Sequence, residues 1–277
     1  MIYRFLSLLP LPLLYWLSWP LFLLIYYLPG YRKNVVRQNL KSAFPEKNEA
    51  EVALLTRKFY QQLADVALEI LKTRTMQPAD IKRRVKVVNP TLLEQLSEGF
   101  TRSVVVLAIH QGNWEWMLHG VKLALDIPVD PVFKPLRNRS LNQIALEIRS
   151  RFGSHPVELG EVGRNILRHR SDFRLFALVA DQAPSAAERY HRVLFLQRET
   201  AFYVGAESLV RSTALPVVFA QCSRSSRGHY AIQFKTVAIP PYNSEGYPIT
   251  ERYASFAEEA ILNEPESWLW THRRWKQ

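Results

Sequence analysis

A histidine that closes a β-branched run, followed five residues later by a glutamate, is the pairing in this chain best suited to proton transfer. The run is SVVVLAIH, residues 103–110, and the pair is His110 and Glu115. Such a run predicts a buried strand. Gln111-Gly112-Asn113 predicts a turn, and residues 114–125 a helix with Glu115 in its first turn. In open α/β sheets, ligands gather at the carboxyl ends of the strands, where His110 would lie. If the turn folds the chain back, the Glu115 carboxylate reaches the imidazole. It would then hold one tautomer and stabilise the imidazolium that forms. The other ring nitrogen is free to take a proton from a hydroxyl. A histidine after a strand is also often a satisfied core or surface residue, so spacing alone leaves both readings open.

Two other residues compete for chemistry. Cys222 ends an apolar run without a local nucleophile signature, which reads as a small inert hydrophobe. His119 lies four residues beyond Glu115, but metalloprotease zinc motifs use a different spacing on one helix. No metal site and no cofactor are therefore expected.

Positioning the pair requires a scaffold. Further strands are predicted over 85–88, 129–133, 157–159, 173–180, 216–222 and 229–237. Helices are predicted over 32–44, 48–73, 90–97, 140–152, 163–170, 202–213 and 249–263. This alternation predicts an α/β fold, with a mostly parallel central sheet flanked by helices.

The N-terminus is different in kind. No charged residue occurs between Arg4 and Arg32, and the intervening stretch is apolar and aromatic. A spanning helix needs about 20 such residues. Pro10, Pro12 and Pro20 interrupt it, so a kinked transmembrane helix and a re-entrant interfacial helix both fit. The run is too long for a signal-peptide core and lacks a cleavage site. Arg32, Lys33, Arg37 and Lys41 follow, which by the positive-inside rule puts the remainder in the cytoplasm. The expected organisation is a membrane anchor over 1–31 and a catalytic domain over 32–277. The formal net charge of +11 suits an anionic partner: nucleic acid, an anionic membrane surface or a phosphorylated substrate. No nucleic-acid motif is recognisable, so no nucleic-acid partner is expected. The single cysteine excludes an internal disulfide.

HQGNWE at 110–115 resembles the H-x4-[D/E] motif of the glycerolipid acyltransferase superfamily. More narrowly, the chain resembles the bacterial lipid A late acyltransferases, the lauroyl and myristoyl transferases. The likeness runs from YRKNVVRQNLKSAFPE through FKPLRN at 133–138, IRSRFG at 148–153, VADQAP at 179–184, FLQRETAFYVGAE at 195–207 and LPVVFA at 215–220. It closes on EPESWLWTHRRWK at 264–276. The resemblance implies His110 as general base and Glu115 as its charge partner. It puts Asp181 and Gln182 as a polar pair at a strand end near the site. Arg149 and Arg151 would meet phosphate or carboxylate groups, and Lys134 and Arg137 would form a basic loop. Backbone N–H groups of the Gly112-Asn113 turn would receive the oxyanion. His272 is expected to be structural, with the neighbouring arginines facing lipid or solvent.

The implied reaction moves an acyl chain from an acyl carrier protein or acyl-CoA thioester onto a hydroxyl of a membrane lipid, a lipid A precursor or a related lipid. The enzyme would act at the bacterial inner membrane, on its cytoplasmic face. FLQRETAFYVGAE departs from the family's usual FFG-type core and Thr-rich stretch, which leaves the acceptor open. Two alternatives remain. One is a thioesterase or lipid hydrolase using the same dyad with water as acceptor. The other is a non-enzymatic, membrane-tethered basic binding protein.

Overall fold

Residues 104 to 108 alternate between two apolar layers, and that alternation organises the molecule. Val105, Leu107 and Ile109 enter one hydrophobic core, whereas Val104, Val106 and Ala108 enter another on the opposite face. A strand buried on both faces must be covered on both, and each fully buried Val or Leu contributes roughly 1.5–3 kcal/mol.

The structure is a computed structural model that describes residues 2–28 and 30–275. Met1 and Pro29 of the expected anchor, Lys276 of the closing motif, and Gln277 lie outside the described residues. The chain runs α1 (Ile2–Leu8), α2 (Leu11–Tyr27), α3 (Lys33–Ala43), α4 (Glu49–Lys72), α5 (Pro78–Arg84), β1 (Val85–Val87), α6 (Pro90–Leu96), β2 (Val104–Ala108), α7 (Trp114–Leu125), β3 (Val129–Phe133), α8 (Arg139–Arg149), β4 (Val157–Glu158), α9 (Val162–Arg168), β5 (Leu175–Val179), β6 (Tyr190–Phe195), β7 (Arg198–Tyr203), α10 (Gly205–Thr213), β8 (Val217–Ser226), β9 (His229–Ala238) and α11 (Pro248–Asn263).

Seven strands form one sheet in the order β1-β9-β8-β2-β5-β3-β4. Strands β8, β2, β5, β3 and β4 pair in parallel, and β9 turns back antiparallel to β8. The expected mostly parallel, helix-flanked sheet is what forms. A separate hairpin, β6-β7, packs beside α11.

The N-terminal segment departs from a transmembrane helix. Among the described residues, no helix is long and apolar enough to cross a membrane. Pro10 is extended and separates α1 from α2, and the 17 residues of α2 rise only about 26 Å. That falls short of a hydrocarbon core of about 30 Å. One face of α2, through Leu11, Leu14, Ser18 and Phe22, packs into the protein. The other leaves Trp16, Trp19, Leu23, Leu24 and Tyr27 exposed, Trp16 to 82%.

Helix α4 joins this segment to the sheet. Asn48 opens it with a capping box, accepting from the backbone of Ala50 and Glu51 while Glu51 accepts from Asn48 N–H. Glu69, fully buried near the other end, accepts from Tyr15 Oη at 2.8 Å, Tyr230 Oη at 2.6 Å and Asn113 Nδ2 at 2.9 Å. Burial and the adjacent Glu69 charge raise both tyrosines above their ordinary range. One carboxylate thus ties α2, β9 and the turn before α7. Glu69→Leu is expected to strand three donors, two of them fully buried, and cost about 3 kcal/mol or more. Thermal melts should show a Tm lowered by several degrees.

Candidate active site

The parallel register of β2 and β5 sets the central pair. Ala108 stands opposite Val179 at the ends of the two strands, and the chain runs two residues past each, to His110 and to Asp181. His110 Nδ1 meets Asp181 Oδ1 at 2.6 Å. The His110 backbone N–H donates to Asp181 Oδ2 at 2.9 Å, and Trp268 Nε1 donates to the same oxygen at 2.7 Å. Burial alone would raise the Asp181 pKa. The His110 charge and these donors outweigh it and hold the carboxyl at about 2. An ionised Asp181 requires the proton on Nδ1, which leaves Nε2 of a neutral imidazole as an acceptor.

The C-terminal segment fixes this arrangement from below. Leu269 N–H donates to His110 O, and Gln111 bridges to Trp268. Tyr253 of α11 donates to Ala108 O at 2.9 Å. Arg274 is buried over the Phe202 ring at 4.5 Å. Burial lowers its pKa to about 10, against the opposing pull of Asp181. Arg274 thus does not face lipid or solvent as expected, whereas Arg273 is exposed. His272 Nε2 accepts from Ala183 N–H at 3.0 Å and steadies the loop after Asp181.

Glu115 is not engaged with His110. Its carboxylate takes a forked contact from Arg149, with Nε 3.1 Å from both oxygens and Nη2 2.6 Å from Oε1. The correction has a local cause. The turn ends at Asn113, whose side chain caps α7 by accepting from Trp116 N–H, and the first turn of α7 then sets Glu115 against the end of α8. Burial works against the Arg149 charge, but Glu115 more than compensates and raises the guanidinium pKa.

The Gly112-Asn113 turn corrects a second expectation. Gly112 N–H donates to Ser267 O at 3.0 Å, and the Asn113 backbone N–H lies beside the Cys222 thiol and pulls its pKa down against the effect of burial. The Gly112 amide is committed and is not free for an oxyanion. Asn113 itself is fully buried and bound to Glu69 and Trp116. Gly112 has φ +58°, and a Cβ there would lie 2.7 Å from Cys222 O, so the turn requires glycine. Burial pushes the Cys222 thiol up to about 12, which leaves it unreactive.

A cavity of about 340 Å³ opens at His110, Glu115 and Arg149. It runs between the sheet and α7, past Ala108, Ala177 and Pro131 to Val121, Val129 and Leu175. From Asp181 back to Leu175 a strand covers roughly 20 Å, so the walls are long and apolar. Lys134 and Gln182 line the mouth. Lys134 pairs with Glu188 at 2.6 Å. Arg137 is exposed and lies outside the lining. Arg151 also lies elsewhere. It donates to Arg74 O and Met76 O and stacks on Phe152, and so holds the segment after α4 rather than a ligand.

Sequence reading missed Asp181 as the imidazole's partner and gave Trp268, Tyr253 and Glu69 no role. For Asp181 a signal existed: an acid at the same offset past an adjacent parallel strand. For the others, long-range packing decides.

The family model described as bacterial lipid A biosynthesis acyltransferase matches residues 1–277. No curated protein matches the chain.

Proposed function

This chain belongs to the bacterial lipid A biosynthesis acyltransferase family, and on that premise we propose that it transfers an acyl chain from a thioester to a lipid hydroxyl with His110 as general base. The observation that carries the reading is the His110–Asp181 pair, with His110 lining a long apolar cavity and Asp181 buried behind it. His110 Nε2 takes the hydroxyl proton, and the oxygen attacks the thioester carbonyl carbon. The tetrahedral intermediate collapses with cleavage of the C–S bond. The imidazolium returns its proton to the leaving thiolate, and the products are an ester and a free thiol. No covalent enzyme intermediate is required. Arg149, steered by Glu115, supplies positive charge for the developing oxyanion or for an acceptor phosphate. Its Nη1 takes no part in the Glu115 contact.

The donor is an acyl carrier protein or acyl-CoA. Lys134, Gln182 and the exposed Arg137 lie on the same loops as the mouth and suit its phosphate or acidic surface. The exposed aromatic face of α2 suits attachment in the plane of the inner membrane rather than across it, with the catalytic domain on the cytoplasmic side. A labelled acyl thioester offered with and without a lipid A precursor tests transfer. Label should enter the lipid only when the acceptor is present. Release of free fatty acid at one rate in both reactions would mean hydrolysis.

The cavity's far end sets chain length on this reading. Val121→Phe fills space beside Val129 and Leu175 and should favour shorter donors. The kcat/KM for the longest accepted chain is expected to fall about tenfold or more, with shorter donors spared. A donor-length series on the purified variant measures it.

A further inference from the structure

A second crevice, of about 520 Å³, lies between α2, α4 and the β8-β9 hairpin and shares no lining residue with the His110 cavity. Its walls combine Trp19 and Phe22 with Lys58, Gln62, Arg224 and Arg227. The lining also holds Asp65 and Glu266, so three cations face two carboxylates. Asp65 is already answered: Arg224 Nη2 reaches it at 2.8 Å, Arg227 at 2.5 Å and Ser18 at 2.7 Å. Lys58 makes no ion pair among the described residues.

Two buried N–H donors in this lining have no partner. Gln62 is only 7% exposed, and its Nε2 is unbonded, as is Nε of Arg224. An unmade hydrogen bond at a buried donor is destabilising, so both donors call for an acceptor. An oxyanion with several oxygens would satisfy both while also meeting Lys58. The apolar wall comes from α2, whose outer face carries the exposed Trp16 and Trp19. We propose that this crevice binds a phosphate group carried by an anionic membrane lipid, seating α2 on the bilayer surface independently of the reaction at His110.

The test uses the full chain in neutral detergent and calorimetric titration with dihexanoyl phosphatidic acid, dihexanoyl phosphatidylcholine and inorganic phosphate. Wild type and His110→Ala should bind the phosphatidic acid alike and the zwitterionic lipid far more weakly. Gln62→Leu and Lys58→Ala should each weaken phosphatidic acid binding about tenfold. Gln62→Glu, nearly isosteric, should abolish it. If inorganic phosphate binds as tightly as the lipid and responds to the same variants, the phosphate site stands and its source is the free ion. If wild type binds neither phosphate probe, or the three variants bind them as wild type does, the proposal is overturned. Acyl transfer measured on the same samples keeps that result separate from the role of His110.

Discussion

Asp181→Asn is expected to lower kcat about 10³- to 10⁴-fold while the protein stays folded. The reason lies in the contacts of the two carboxylate oxygens. Oδ2 accepts two N–H groups, from the His110 backbone and Trp268 Nε1. An asparagine must turn its carbonyl oxygen to those donors, which leaves its NH₂ facing His110 Nδ1. Nδ1 then has to accept, the ring proton moves to Nε2, and the nitrogen facing substrate becomes a donor. A wrong tautomer of this kind costs about 10⁴ in an enzyme triad. Single-turnover transfer from labelled thioester measures it, with thermal melts as the control for folding. Activity within tenfold of wild type would remove Asp181 from the mechanism. The sign of the Asp181 shift also restricts acid effects. A carboxyl held at about 2 contributes stability fully above the ordinary carboxylate range near 3.9, and loses it only as pH falls toward 2. Activity lost on mild acidification, above that window, therefore has another origin.

The second large effect is at Glu115 and Arg149. Glu115→Gln and Arg149→Ala are each expected to reduce kcat/KM about 10²-fold or more, and the double variant to lose little beyond either single change. Residues in one forked contact act as a unit, with couplings of about 0.5–3 kcal/mol. If Glu115 instead worked on the imidazole directly, its loss would add to that of Arg149 and overlap with that of Asp181→Asn. The full double-mutant cycle separates the two. Arg149→Lys is not a conservative change here, because an ammonium cannot reproduce the two-pronged contact.

Much of the scaffold was legible because it follows periodicity. The helix Trp114–Leu125 and strand Val129–Phe133 fall where the pattern predicts them, and the central strands and α11 are displaced by only a few residues. The β6-β7 hairpin was missed for a definite reason. Its two-residue loop, Leu196-Gln197, has positive φ at both positions without Gly, Asn or Asp, so no turn signal marks it. The unfavourable backbone is offset by burying Leu196 and by a hydrogen bond from its N–H to Glu258. The short α5 gave no period long enough to read. The apolar N-terminus is one long uncharged stretch, from which the sequence predicts a membrane anchor. Composition could not tell that α4 would take up one face of it, leaving a half-covered helix in place of a span.

At the site, His110, Glu115 and Arg149 were all picked out, but the pairing among them was not. Neighbours in sequence suggested His110 with Glu115. The sheet instead joins residues 71 positions apart, because two parallel strands end in register. Arg151 lies two residues from Arg149 and faces away, since adjacent positions at a helix end point in different directions.

Structure determination of the full chain with a hydrolysis-resistant acyl thioether donor and a hydroxylated lipid acceptor tests the central claim most directly. The acyl chain should lie along Ala108, Ala177 and Val121, with the acceptor hydroxyl about 2.6–3.2 Å from His110 Nε2. A chain bound elsewhere, or a hydroxyl seated against Glu115 with His110 out of reach, would contradict it.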